Sequence, residues 1–484
     1  MNNVNKCKQL CILFYLFCFT TPVFAINQNK TLNTLDTSIN KIRIRNNIAA
    51  TAYVIVSGKK IIHSSVHGVS DKLTNRPATP NTTFRIGSIT KSFTSLAILK
   101  LEQQGKISLK DDLLKHVSDA PLTNPWKNTN PVKIAHLLEH TSGLLDLTKK
   151  EMNYPGPEPL SLRQGLFFTN SYRKTIWPPG LHHSYSNAGA GYAAYALEKI
   201  TGRNFEGYVE EEIFNPLDMK LASFNYDVAI KNKLATGYDT DGDTVIPYWH
   251  MTLKPFGAIN ATANGMANFV QMLINYGVYN NKIIFNKNLI RRMESPRTSL
   301  AATTGLEFGY GCGNYQYIHK GFLFHGHGGD GDGYLAHYAY NRDTDLGYFI
   351  VINAFNYQVL KKMRSKIEDY IIKDSNPPEI PTPIVLQKSH LKKFTGRYQA
   401  ITHRFPWDKI AEIKADQVLI YMKNGSLQIK LPGSASNKLL PVTKNHFRYI
   451  DEPVATTAFI FHNDSLYFQG EIGNYIRIDN TRFH

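Results

Sequence analysis

The chain has 484 residues, more than one ordinary domain holds, and at roughly 150 residues per domain it should form two or three. A hydrophobic content of 42% with 12% aromatics excludes a disordered chain. The 55 Lys+Arg against 38 Asp+Glu leave a net charge of +17, but the basic residues are scattered with no run of five or more, which argues against a nucleic-acid partner.

The first twenty-five residues read as an export signal. Lys6 and Lys8 give a positive start, residues 10–19 are an apolar run, and Val23-Phe24-Ala25 offers small residues at the positions a signal peptidase reads. The run is too short to cross a membrane, which takes about 20 apolar residues, so no stable anchor is expected. Tyr15-Leu16-Phe17 is too bulky to precede a lipoprotein Cys18. Cleavage near Ala25 predicts a periplasmic or secreted protein. It would remove Cys7, Cys11 and Cys18, keep only Cys312, and leave a net charge of +15. A single cysteine forms no internal disulfide, so packing alone must hold the fold.

Residues 31–44 carry Leu35, Ile39, Ile42 and Ile44 at helical spacing. Ala52-Tyr53-Val54-Ile55-Val56 and Lys60-Ile61-Ile62-His63 flank a Ser57-Gly58 turn and predict a hairpin. Residues 88–104 predict a strong helix, with Ile89, Phe93 and Leu96 on one stripe and Gly105 as its stop. The stretch 130–300 reads as mostly helical with long loops. Strands return at 334–340 and 347–353, and a helix follows at 357–373. Strands at both ends of the block with helices between predict one sheet built from both ends. Pro377-Pro378-Glu379-Ile380-Pro381-Thr382-Pro383 is a stiff linker, and the last hundred residues alternate in short runs that predict a small antiparallel barrel. The expected boundaries are 1–25 for the signal, 26–374 for the main domain, 375–387 for the linker and 388–484 for the barrel.

Three motifs point to one chemistry. Ser88-Ile89-Thr90-Lys91 places a hydroxyl and an amine on one face at the start of the long helix, where Lys91 can withdraw the Ser88 proton and free backbone N–H groups suit a developing oxyanion. Ser57…Lys60 and Ser171…Lys174 match the same spacing, but only Ser88 has an apolar helix behind it. Tyr185-Ser186-Asn187 adds a phenol able to relay protons and an amide able to hold Lys91 or a substrate. In His327-Gly328-Gly329 the glycines allow close backbone approach, as an edge strand beside a substrate needs. His325, His327, Asp330 and Asp332 are crowded but lack a distant ligand set, and Asp239 to Asp243 departs from a calcium loop, so no metal and no cofactor is expected.

The order Ser-x-x-Lys, Tyr-x-Asn, His-x-Gly resembles the penicillin-recognising serine hydrolases, in the branch related to class C β-lactamases. His136-Leu137-Leu138-Glu139-His140-Thr141-Ser142-Gly143-Leu144 is similar to that branch's LLxHTSGL segment. Asn81 to Gly87 as lead-in, Pro179-Gly180, Asn215-Pro216-Leu217-Asp218-Met219 and Pro255-Phe256-Gly257-Ala258 also fall in family order. The resemblance covers about residues 35–373. The tail, with Phe394-Thr395-Gly396-Arg397-Tyr398 near its start, looks like the lipocalin-like barrel often attached to this branch.

The resemblance implies a serine β-lactamase/D,D-peptidase-like α/β (α+β) fold: an antiparallel sheet flanked by helices, with a helical insertion, plus the C-terminal barrel. It implies Ser88 as nucleophile, Lys91 as general base, Tyr185 as second proton-transfer group and Asn187 as the group orienting Lys91 and substrate. His327 would stand where the family's third-motif lysine stands, and the oxyanion hole would be the N–H groups of Ser88 and of Asp330, the residue after Gly328-Gly329. A histidine there is only partly charged near neutral pH, which weakens recognition of a β-lactam carboxylate. The expectation is therefore an exported serine hydrolase working through an acyl-enzyme on a D-amino-acid peptide, an amide or an ester. A catalytically idle wall-peptide-binding or assembly protein on the same scaffold is the alternative.

Overall fold

The computed structural model describes residues 21–169, 172–405 and 416–478. Most of the expected export segment and Ser171 lie outside the described residues. Helix α1 (Thr21–Arg45) leads into strands β1 (Ala50–Ser57), β2 (Ile61–Asp71) and β3 (Arg76–Pro77). A helical region follows with α2 (Thr90–Gln103), α3 (Ile134–Leu138), α4 (Lys149–Met152), α5 (Asn187–Thr201), α6 (Ala263–Ile274) and α7 (Lys287–Glu294). The chain then returns to β4 (Tyr315–His319), β5 (Phe322–Gly331), β6 (Tyr334–Asn341) and β7 (Leu346–Ile352), and closes on α8 (Tyr357–Ile372).

The sheet runs β4-β5-β6-β7-β1-β2-β3, so β1 is flanked by its hairpin partner β2 and by β7 from the far end of the domain. Thr51 faces Ile352 in one antiparallel pair and His67 in the other. Both ends of the segment thus make one sheet, as the element order predicts. Side chains of a strand alternate between faces, and both faces of β1 are covered. Ala52, Val54 and Val56 join a core with α2, α5 and α6; Tyr53 and Ile55 join a second core with Leu35, Ile39, Val359, Met363 and Ile367 of α1 and α8.

Two elements add detail to the sequence reading. Helix α2 forms where expected but is buried all round rather than along one stripe: every residue from Thr90 to Leu99 is buried, polar ones included, and Phe93 stacks on Phe269 at 4.3 Å between ring centroids. Strand β5, which bears the His-Gly-Gly motif, has β4 outside it only along residues 322–326. Among the described residues His327, Gly328 and Gly329 run past the end of β4 and pair on one side alone, with Tyr338, His337 and Ala336 of β6, so that edge stays open as the motif reading expects. The Lys320-Gly321 turn has positive φ at both residues (49° and 83°), a tight hairpin signal that sequence pattern alone does not mark as strongly as an Asn-Gly pair.

Glycine is required where β5 meets the turn ahead of α2. A Cβ at Gly329 would sit 1.8 Å from the Ile86 carbonyl oxygen, and one at Gly87 (φ +54°) would sit 2.6 Å from the Asp330 amide nitrogen. The strand backbone is therefore pressed against the residue preceding Ser88. The loop at 145–180 is tied down by a buried ion pair between Arg173 (1% exposed) and Glu151 (0%). Glu151 also accepts from the Thr148 amide at 2.7 Å, capping α4, and Arg173 donates to the Leu166 carbonyl at 3.0 Å.

Beyond the proline-rich linker, strands β8 (Gly396–Ala400), β9 (Gln417–Lys423), β10 (Ser426–Lys430), β11 (Ser436–Pro441), β12 (His446–Arg448), β13 (Thr457–His462), β14 (Ser465–Gly470) and β15 (Gly473–Arg477) close into an antiparallel barrel. Its interior is filled by Phe394, Tyr398, Leu427, Phe447, Phe459, Phe468 and their neighbours. The barrel packs Ala458 and Ile460 against Leu300, Ala301 and Leu306 of the main domain. Among the described residues no helix is long and apolar enough to cross a membrane.

Two stability outcomes follow. Arg173→Met leaves the buried Glu151 carboxyl without its cationic partner, so urea unfolding should show a loss of about 3–5 kcal/mol, with Glu151→Met/Arg173→Met less damaging than the sum of the two single changes. Gly329→Ala forces β5 away from the Ile86 carbonyl and should cost about 1–3 kcal/mol in the same measurement.

Candidate active site

A short 3-10 turn, Gly87–Ile89, feeds directly into α2 and sets Ser88 and Lys91 on one face. Lys91 Nζ donates to Ser88 Oγ at 3.0 Å and to the Phe256 carbonyl at 2.7 Å. The side chain is 3% exposed, and its amine lies 4.8 Å from the Tyr185 ring centroid and 5.4 Å from that of Phe256. Desolvation disfavours the ammonium, and the Arg404 cation does so too, while the Asp146 and Asp330 carboxylates favour it. Burial wins and pushes the amine down to about 7. Lys91 is thus divided between its two protonation states at neutral pH, and in the neutral state it accepts the Ser88 proton.

Tyr185 stands just before α5. Its hydroxyl is buried without a hydrogen bond of ordinary geometry, with Ser88 as the neighbouring hydroxyl. Burial holds the phenol well above its usual range, against the opposing pull of Arg404 and Ser88, so it stays protonated at neutral pH. Its ring packs on the imidazole of His140 at 4.0 Å and 30°. His140 adopts positive φ (56°) and its Nδ1 accepts from the Ser186 amide at 3.1 Å, which puts the ring proton on Nε2. Burial pulls the His140 imidazolium well below the usual range, so the ring is neutral.

Asn187 begins α5 and does not reach Lys91, whose second partner is the Phe256 carbonyl. Its side-chain amide donates to Asp146 Oδ2 at 3.2 Å, and its own backbone N–H donates to Asp146 Oδ1 at 2.6 Å. Asn187 Oδ1 is buried with no hydrogen-bond partner.

His327, on β5, lies beside this group, its ring 6.5 Å from that of Tyr185. Its Nδ1 donates to the Gly328 carbonyl and its Nε2 accepts from the Tyr310 hydroxyl at 2.7 Å. Burial, reinforced by Lys91, pulls the imidazolium down to about 3. The partly charged histidine expected from sequence is therefore a neutral one. Gly328 and Gly329 carry the strand past the turn, and Asp330 follows with its backbone beside Gly87 and its carboxylate accepting from Tyr357 at 2.7 Å. The other acidic and imidazole groups of this stretch are engaged separately: His325 stacks on Tyr340 at 5.6 Å and Asp332 accepts from Asn153 at 2.6 Å. Among the described residues no cluster of three or more His, Cys, Asp or Glu side chains is placed to hold a metal.

The competing Ser-x-x-Lys pair at 57–60 is turn structure, with the Ser57 amide donating to the Lys60 carbonyl at 2.9 Å. Cys312 lies in a bend rather than a strand, is fully buried, and has its thiol pushed up to about 12.

Four groups of the site carry no readable sequence signal in advance: the Phe256 carbonyl, Tyr310, Asp146 and Arg404. Asp146 directly follows the His140 segment and is fully buried. Arg404 comes from the loop after β8, yet its Nε donates to Asp146 Oδ2 at 2.7 Å and its guanidinium lies 4.5 Å from the Tyr185 ring centroid. Together these groups bring a hydroxyl, a near-neutral amine, a protonated phenol and a close-packed strand backbone into one place, the equipment for covalent acyl transfer.

The family model described as Beta-lactamase matches residues 35–369. Protein flp of Staphylococcus aureus (strain MRSA252) is 26% identical over 257 residues, covering 51% of this chain and 50% of that protein. The chain spans about half the length of the curated relatives it matches. Among solved structures, the octameric penicillin-binding protein homologue from Pyrococcus abyssi superposes with a TM-score of 0.60 at 21% identity, covering 92% of this chain and 100% of that one. D-alanine carboxypeptidase AmpC from Burkholderia cenocepacia gives 0.56 at 19% identity, over 71% and 99%. Both superpositions show a shared fold. The family match runs from within α1 to within α8 and takes in the whole sheet and the Ser88–Lys91 pair, and on that ground the chain belongs to the beta-lactamase family.

Proposed function

We propose that this protein is an exported serine hydrolase that forms an acyl-enzyme on Ser88 with a D-amino-acid peptide, an amide or an ester. The observation that carries the reading is the Lys91 amine, buried, 3.0 Å from Ser88 Oγ and pushed down to about 7. Neutral Lys91 takes the Ser88 proton as the oxygen attacks the substrate carbonyl. The tetrahedral oxyanion lies against the Ser88 and Asp330 N–H groups, and Tyr185 hands its proton to the leaving group and regains one from Lys91. Water then repeats the sequence on the acyl-enzyme and frees Ser88.

The neutral His327 argues for peptides, amides and esters over β-lactams. A lysine in that place offers a fixed cation to the β-lactam carboxylate, whereas an imidazole titrating at about 3 offers none at neutral pH. The D-alanine carboxypeptidase among the structural neighbours supports the same substrate class. Export is proposed from the charge and apolar pattern of residues 1–25.

A fluorophosphonate probe should add one probe mass to the full chain and none to Ser88→Ala, read by intact mass. Lys91→Met should slow that labelling by about a thousandfold or more. Because the reactive form of Lys91 is the neutral one, the wild-type labelling rate should fall about tenfold per pH unit below a midpoint near 7 and level off above it. Absence of any adduct on the folded wild-type chain sinks the hydrolase reading and leaves a binding role.

A further inference from the structure

The barrel holds the residues that lead into Tyr185 one after another. Gln469 Nε2 donates to the Leu181 carbonyl at 3.0 Å and to His182 Nδ1 at 2.8 Å. Asn474 Nδ2 donates to the His183 carbonyl at 2.7 Å, and Ser184 Oγ donates to the His403 carbonyl at 3.2 Å. The chain then places Arg404 at the site itself. The Arg404 carbonyl accepts from the Asp146 amide at 2.9 Å, its Nε donates to the Asp146 carboxylate at 2.7 Å, and its guanidinium covers the Tyr185 ring at 4.5 Å. With His327 neutral, Arg404 is the fixed cation beside the phenol and the Ser88–Lys91 pair.

We infer that Arg404, supplied by the barrel, is a positioning residue for the acyl-transfer reaction: it seats Tyr185 and stabilises the negative charge the phenol acquires as it protonates the leaving group. A cation over the ring favours the phenolate and disfavours the ammonium of the nearby lysine. The geometry is matched by the direction of both groups, since Arg404 opposes burial at Tyr185 and adds to it at Lys91. The other groups facing Lys91 are Asp146 and Asp330, which act the opposite way, and the imidazoles of His140 and His327, both held neutral by burial. The inference rests on the serine hydrolase reading, and its test separates the two.

The full chain and its Arg404→Gln and Arg404→Lys variants are compared by fluorophosphonate labelling against pH and by kcat/KM for p-nitrophenyl acetate and phenyl acetate. Neither ester carries a carboxylate, so loss of substrate-charge recognition does not enter. Arg404→Gln should move the rising limb to higher pH by about half a unit to one unit, and should lose about tenfold more with phenyl acetate, whose leaving group needs a proton, than with p-nitrophenyl acetate. Arg404→Lys, which keeps the cation but not the planar fork, should fall between wild type and Arg404→Gln in the ratio of the two esters. An unmoved limb with equal losses on both esters overturns the inference, because a purely structural role scales all rates alike. Should Arg404→Gln fail to fold, Arg404→Met is set against Arg404→Lys, and a limb no higher in the Met variant than in the Lys variant overturns the inference. A wild-type chain that takes no probe at Ser88 overturns the hydrolase reading instead.

Discussion

Asp146 carries its carboxylate to a position with no solvent exposure, where the Leu147 amide, the Asn187 amide, the Asn187 side chain and Arg404 all donate to it. A buried carboxylate is costly unless its lone pairs are filled, and here its donors come from three separate stretches of chain. One stretch continues the His140 segment, one begins α5 beside Tyr185, and one arrives from the barrel. The Asn187 N–H is a free donor at the start of a helix, where negative charge is favoured. Because these stretches share one anion, the place of Tyr185 relative to Lys91 depends on all of them at once. Burial still keeps the Asp146 carboxyl above its usual range, so its negative charge is held only as long as its donors are.

Burial also divides the chemistry among the titratable groups. The same dry surroundings bring Lys91 down to about 7, His327 down to about 3, and Tyr185 up. Desolvation penalises whichever form carries charge, so one physical cause yields a base near neutrality, a neutral imidazole and a protonated phenol. His327 is a hydrogen-bonding group fixed by Tyr310 and the Gly328 carbonyl, where a lysine would be a charge.

Much of this was legible in sequence because it is local. A serine and a lysine three residues apart ahead of an apolar helix share a face whatever surrounds them, and the Ser57 hairpin and the barrel announce themselves by alternation and turns. The Phe256 carbonyl was not legible, since a backbone oxygen is the same in every residue. Arg404 was hidden for another reason: it stands 219 residues after Tyr185, and only the docking of Gln469 and Asn474 on residues 181–183 brings it back. The charge of His327 depends on packing by Tyr310 and Tyr315, which no motif spells out. The open edge at His327-Gly328-Gly329 was legible from its glycines, whereas the β4 hairpin that covers β5 as far as Gly326 was not, because Lys320-Gly321 is a weak turn signal.

The central place of β1 also constrains how the chain can fold. Its pairing of Thr51 with Ile352 spans about 300 residues, so the strand is made early and waits for its second neighbour until nearly the whole main domain exists. Sheets closed by such distant pairs form slowly, because the loop-closure entropy comes before the contacts that offset it. Until then one edge of β1, Ala50–Ser57, offers its backbone groups and its apolar residues to any other extended chain. The same topology that buries the strand on every side in the finished molecule makes it the segment most in need of protection while the chain is incomplete.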